Sequence, residues 1–195
     1  MSIQVTWEIV SQIADKLLFS TDKYFSELSA SERVIYCAYM FMLEVNNGGL
    51  HQFFSNDSGK YSHETLLALS EAGSADSSAI LKQAVSLFPS ASVSMDKSER
   101  REDLEKIDIN KLRKLDEAFY KIDDSFDSCL ITYAQKHLIE LVIPITMESA
   151  LSKADIEFRN KNFKAVIGIL EPYEQSLPTA KKTKLKIARK KNAVV

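Results

Sequence analysis

Residues 44 to 59 read Glu-Val-Asn-Asn-Gly-Gly-Leu-His-Gln-Phe-Phe-Ser-Asn-Asp-Ser-Gly. Glu44, His51 and Asn56 are residue types suited to acid–base chemistry: a carboxylate, an imidazole and an amide that can orient either. A general base also needs a hydrogen-bonded partner and a substrate within reach, and the spacing alone supplies neither. The same stretch suits a structural role. Asn46, Asn47, Gly48 and Gly49 tolerate left-handed backbone angles and so interrupt helices, and His51 or Gln52 can satisfy the backbone groups loosened there. Two readings follow, an enzyme with its site at residues 44–59 or a tight helix–helix corner. No complete catalytic set accompanies the stretch, which favours the corner. The corner predicts a positive φ at Gly48 or Gly49.

Other chemistry finds little support. His51, His63 and His137 have no His or Cys three or four residues away, the spacing that metal ligands on a helix usually show. Phosphate-binding loops of the GxxxxGK[ST] or GxGxxG type are missing, as is a GxSxG nucleophile elbow. No cofactor and no metal are expected.

The elements that must position this stretch read as helices. Five glycines and four prolines among 195 residues are few for a turn-rich β chain, and no segment alternates apolar and polar residues convincingly. Ser29 followed by Glu32 is a capping-box pattern. The helix it opens is apolar on nearly every face from Val34 to Leu43, which predicts burial on all sides at the centre of the fold. Gly73 stops the next helical pattern, Pro89 follows another, and residues 90–98 read as a mobile loop. Leu112, Leu115, Phe119 and Ile122 form a narrow seam. Asp123 or Asp124 is placed to cap a helix carrying Phe126, Leu130, Tyr133 and His137. Beyond Pro144, Ala150, Ala154 and Phe158 fall in step, followed by Phe163, Val166, Ile167 and Leu170. This part is similar to a single tetratricopeptide-type hairpin, with a basic closing helix after it. The expected fold is all-α: a multi-helix globular bundle over residues 1–140, with residues 141–195 as an appended hairpin packed on the body.

Charge divides unevenly. Residues 181–195 hold seven bases and no acid, leaving 18 bases against 27 acids, net −9, in residues 1–180. Such segregation speaks to partners rather than to fold. The richest acidic stretch, Asp96 to Asp127, mixes eleven acids with eight bases. Its candidates for a partner-binding face are Glu99, Glu102, Asp103, Asp116, Glu117, Asp123, Asp124 and Asp127. The plainer reading is a solvated helix surface. For the basic tail, one reading docks Leu185 and Ala188 on the hairpin, a second contacts nucleic acid or an acidic partner, and a third folds the tail against the acidic body. With no interleaved aromatic residues, docking is favoured over direct nucleic-acid binding. The opening MSIQVTWEIV lacks the form of a signal peptide, and no apolar run approaches the ~20 residues of a membrane span. Cys37 and Cys129 read as buried free thiols, pointing to the cytoplasm.

The run Glu44-Val45-Asn46-Asn47-Gly48-Gly49, with His51-Gln52-Phe53-Phe54, Asn56 and Ser58-Gly59, resembles the signature of a bacterial helical family. The resemblance extends over roughly residues 20–140. The family is known mainly as a domain of unknown function, and one member is a DNA-mimic protein. The resemblance implies an all-helical fold, dimerisation and no known catalytic activity. It also implies a protein partner: a basic, DNA-binding transcription factor held on an acidic surface. An immunity protein that neutralises a toxin such as a nuclease is the alternative with the same physics, carboxylates competing with phosphates for Arg and Lys.

Overall fold

The capping box at Ser29 forms. Its hydroxyl accepts from the Glu32 N–H at 3.2 Å, and Glu32 accepts in return from the Ser29 N–H at 2.8 Å. From that cap runs the 26-residue helix α2, Ala30–Ser55, broken at Gly48–Gly49. Val34, Ile35, Cys37, Ala38, Phe41, Val45, Leu50, Phe53 and Phe54 are all buried, so α2 is covered on most of its circumference. The structure is a computed structural model and describes residues 4–20, 24–122 and 125–193.

Around α2 are arranged α1 (Trp7–Asp15), α3 (Ser62–Glu71), α4 (Ala75–Val85), α5 (Lys97–Glu105), α6 (Ile109–Phe119) and α7 (Ser125–Lys136). Short 3-10 turns lie at Phe25–Glu27, Asp57–Tyr61 and Pro89–Ala91. No strand occurs among the described residues, and the fold is all-α. Five phenylalanines make edge-on contacts through the core, Phe119 to Phe41 to Phe53 to Phe54 to Phe88, at centroid distances of 4.7 to 5.5 Å. Each buried ring contributes roughly 1.5–3 kcal/mol relative to exposure. The chain crosses the α2 break, so both halves of the helix are locked into one core.

A π-turn at Leu138–Val142 leads into α8 (Ile143–Arg159), followed by α9 (Phe163–Leu170) and α10 (Thr179–Asn192). These three helices enclose a second apolar cluster of Ala154, Val166, Leu170, Leu177, Leu185 and Ala188. The basic closing helix therefore docks through Leu185 and Ala188, the first of the three readings of the tail. It packs on α9 and α8. Lys181 and Lys184 both pair with Asp155, and Arg189 pairs with Glu171 and Glu174. Cys37 is buried and Cys129 partly so; both are free thiols. Among the described residues no helix is long and apolar enough to cross a membrane.

Candidate functional site

The corner is built from both halves of α2 and from α6. The expected positive φ falls on Gly49, at φ 72 and ψ −175, a region essentially reserved for glycine. Gly48 has φ −158 and ψ 24. A methyl group at Gly49 would stand 2.5 Å from the Asp116 carboxylate, so the position has neither the dihedral freedom nor the space for a side chain. Asp116 lies there because it accepts from the Leu50 N–H at 2.8 Å. One turn further along α6, the Tyr120 hydroxyl donates to the Val45 carbonyl at 2.6 Å. Two α6 side chains thus satisfy backbone groups on either side of the break, where the regular helix ladder is interrupted. Burial raises the Asp116 pKa above its ordinary value, opposed by the Leu50 N–H and the nearby His51. Burial, with Asp116 close by, also raises that of Tyr120.

On the other side of the break, Glu44 gathers the polar residues of the motif. Gln52 Nε2 donates to Glu44 Oε2 at 2.7 Å, and Asn56 Nδ2 to both carboxylate oxygens at 2.9 and 3.2 Å. The Ser58 hydroxyl lies 3.0 Å from both Glu44 Oε1 and the Phe53 carbonyl, its one proton serving either. Asn47 Nδ2 in turn donates to Gln52 Oε1 at 3.1 Å. Glu44 is thereby encircled by neutral donors and ties the helix before the break to the turn after it. This cluster forms part of the wall of an open groove of about 920 Å³ that Phe19, Tyr36, Met40 and Leu43 also line.

His51 is not in this cluster. It is exposed, and its Nδ1 lies 3.5 Å from the Ser55 hydroxyl. Glu44 and Asn56 meet, then, but the imidazole does not join them, and Gln52 does the tying. Asn46 is exposed on the far side, beside a hollow of about 200 Å³ shared with Phe119 and Tyr120. Phe53 and Phe54 are core residues. Among the described residues no three His, Cys, Asp or Glu side chains converge as a metal site would require.

Gly59 has a different reason to be small. A methyl group there would stand 2.6 Å from Arg100 Nε and from the Phe54 carbonyl. Arg100 is only 1% exposed. Its Nε donates to the Phe54 carbonyl at 2.7 Å, Nη2 to Asn56 at 2.9 Å, and Nη1 to the carbonyls of Ser94 and Met95 at 2.8 and 3.1 Å. The guanidinium sits on the C-terminal carbonyls of α2, the end where the helix dipole favours a cation. It also anchors the loop at residues 90–98, whose composition reads as mobile. Burial lowers the Arg100 pKa, with Asp57 and Asp96 opposing.

Neither Arg100 nor Tyr120 was singled out from sequence, yet helical spacing carries a signal for the first. Arg100 is four residues before Leu104, the only large apolar residue of α5, and so shares its buried face. Asp116 likewise follows Leu112 by four, which places it on the inner face of α6 and not on an outer acidic one. Of the other acidic candidates, Glu99 accepts from the Ser94 hydroxyl at 2.9 Å and Asp103 pairs with Lys106 at 2.8 Å. Glu102 and Glu117 are exposed, and Asp127 is half-buried. Asp123 and Asp124, including their expected capping role, lie outside the described residues.

Residues 26–137 match the model of the family described as DMP19-like protein, more than half of the chain. The chain belongs to the DMP19-like family. No curated protein and no solved structure matches it. The DMP19-like region takes in α2 to α7, and with them the Glu44 cluster, the α6 clasp and Arg100. Helices α8 to α10 fall outside it.

Proposed function

We propose that the DMP19-like body is a non-enzymatic protein-binding module that sequesters a basic, DNA-binding partner by presenting carboxylates where that partner expects phosphates. Family membership is the observation that carries this reading. Charge agrees with it: residues 1–140 hold 22 acids against 14 bases, net −8. A surface of that sign speeds encounter with a basic protein and discourages wrong partners. Within the acidic stretch, Glu99, Glu102 and Glu117 are the exposed candidates without an ion pair among the described residues; Glu99 accepts from the Ser94 hydroxyl, and Asp116 serves the corner. The proposal includes the division into a body at 1–140 and a C-terminal unit at 141–195. It places the protein in the cytoplasm, in keeping with two free thiols.

The enzyme reading has little to stand on, because Glu44 is already occupied by Gln52, Asn56 and Ser58, and His51 is elsewhere. The immunity reading uses the same carboxylates and separates from this one on the partner's identity.

Affinity capture from host lysate at low and high salt tests the proposal, followed by challenge of the captured complex with the partner's own DNA. The expected result is a basic DNA-binding protein that is lost at high salt, displaced by DNA, and bound less tightly by the Glu102→Lys/Glu117→Lys variant. A captured nuclease would favour the immunity reading. A partner indifferent to DNA and to both substitutions would refute charge mimicry.

A further inference from the structure

The acids of the C-terminal unit are all engaged. Among residues 141–195 there are five acids and eleven bases, net +6. Glu148 pairs with Lys16, Asp155 with Lys181 and Lys184, and both Glu171 and Glu174 with Arg189; Glu157 accepts from Asn162 Nδ2. What remains is cationic and points outward. Lys186, Lys190 and Lys191 of α10 are exposed and have no ion pair among the described residues, and neither do Arg159, Lys161 and Lys164 around the α8–α9 turn.

Docking and polyanion contact first read as alternatives for this helix, yet they use different faces. Leu185 and Ala188 face inward with Lys181 and Lys184. Lys186 and Lys190 lie four residues and about 6 Å apart along the other side, whereas Lys182, one turn earlier, is half-buried and donates to the Gln175 carbonyl at 3.2 Å. Among the described residues the acidic body makes no ion pair with this side: the ion pairs of α10 go to Asp155, Glu171 and Glu174 within the same unit.

We infer that the outer face of α10 binds the phosphate backbone of nucleic acid, without sequence preference. Two features favour phosphates over a protein partner. Lysine is depleted at protein–protein interfaces, whose centres are built on aromatic and apolar anchors. The outer face of α10 has no aromatic residue and only Ile187 as a partly exposed apolar one. Lysine ammonium groups suit phosphates as point charges and carry no base readout. At physiological salt, charges more than about 8 Å apart are largely screened, so the negative body does not cancel a local cationic stripe. The inference is independent of the proposed function. If both hold, the basic unit would keep the acidic body near the nucleic acid on which its partner works, raising the effective concentration of one for the other.

The test is fluorescence anisotropy of the full-length protein with a labelled random-sequence DNA duplex across a salt series, beside the Lys186→Gln/Lys190→Gln/Lys191→Gln variant. These side chains are exposed and unpaired and glutamine is a good helix former, so the variant should keep its circular dichroism spectrum. The wild type should bind at low salt, with affinity falling steeply as salt rises. The variant should bind at least tenfold more weakly, with a log–log salt slope shallower by roughly three, about one per phosphate contact removed. Absence of binding at low salt, or equal binding by the variant, overturns the inference. So does binding to polyglutamate as tight as to DNA, which would assign the face to acidic protein. Self-association of the wild type, lost in the variant without DNA binding, would assign it to the acidic body of a second copy and equally overturn it.

Discussion

Asp116 in the body is half-buried with its carboxylate on the Leu50 N–H, whereas Asp155 in the C-terminal unit lies near the surface between Lys181 and Lys184. Burial raises the pKa of the first, and the hydrogen bonds from Lys181 and then Lys184 lower that of the second. The contrast extends to the two regions as wholes. In the body, Glu44, Arg100, Asp116 and the Tyr120 hydroxyl hold side-chain and backbone groups at the break and the C-terminal end of α2. In the C-terminal unit, charges pair at the surface, mostly with one another, and the excess points to solvent. A buried polar group is costly to leave without a partner, while a surface pair is screened and contributes little. Substitutions in the body should therefore cost stability, and those in the C-terminal unit should mainly alter binding.

Arg100→Leu should have the largest effect. It leaves the buried Phe54 carbonyl, and those of Asn56 and the loop, without their donor. A loss of about 3 kcal/mol is expected in urea denaturation. Arg100→Lys should recover only part, because one ammonium cannot reach the carbonyls that the guanidinium fork spans. A loss below about 1 kcal/mol for the leucine variant would mean that the body does not depend on its buried polar groups.

Next come the glycines of the break. Gly49→Ala forces a side chain into a glycine-only region and against Asp116, and should cost at least ~2 kcal/mol. Gly48→Ala needs no left-handed backbone but pushes Gln52 away from Glu44, for about 1 kcal/mol. Gly73→Ala provides the control, since φ is 87 there with open space around a new methyl group; about 1 kcal/mol is expected. Equal midpoint shifts for Gly49 and Gly73 would show that the clasp by Asp116 adds nothing to the dihedral strain.

Asp116 separates hydrogen bonding from charge. Asp116→Ala orphans the Leu50 N–H and should cost about 1–3 kcal/mol. Asp116→Asn keeps an acceptor and removes the buried charge. An acid whose folded pKa is raised binds more proton folded than unfolded, so its contribution to stability declines as pH rises from the ordinary 3.8 through the folded value. The asparagine variant lacks that decline. Relative to wild type it should gain stability between pH 3.5 and pH 7, as urea midpoints at the two pH values would show. A constant difference would place the Asp116 carboxylate in a more aqueous setting than the geometry indicates.

How much of this was legible beforehand follows the same division. The capping box of α2, its buried length, the break at Gly49 and the docking of Leu185 and Ala188 all come from local pattern, because helix periodicity and glycine dihedrals act within a few residues. The partners that complete the corner come from 46 to 75 residues away. Asp116 and Arg100 look like ordinary surface charges when counted, and only their step with Leu112 and Leu104 betrays an inward face. The sequence groups Glu44, His51 and Asn56 as one possible set, and the fold brings only Glu44 and Asn56 together: donors and acceptors for a corner resemble those for catalysis until the position of His51 is known.

Asp155→Asn should have the smallest effect on stability and a distinctive one on binding. The carboxylate is about a third exposed, and surface pairs of this kind contribute at most about 1 kcal/mol. Its lowered pKa reverses the pH sign of Asp116. The contribution is present above the ordinary carboxylate value and is lost as pH falls through the folded one, so wild type and variant should converge in acid. The substitution also releases Lys181 and Lys184 and makes the C-terminal unit more positive by one charge. If its outward cations bind phosphates, Asp155→Asn should bind DNA at low salt as tightly as wild type or more so, although slightly less stable. A variant that lost stability and DNA binding together would show that pairing in this unit builds the binding surface, and the contrast between the two regions would then be one of degree.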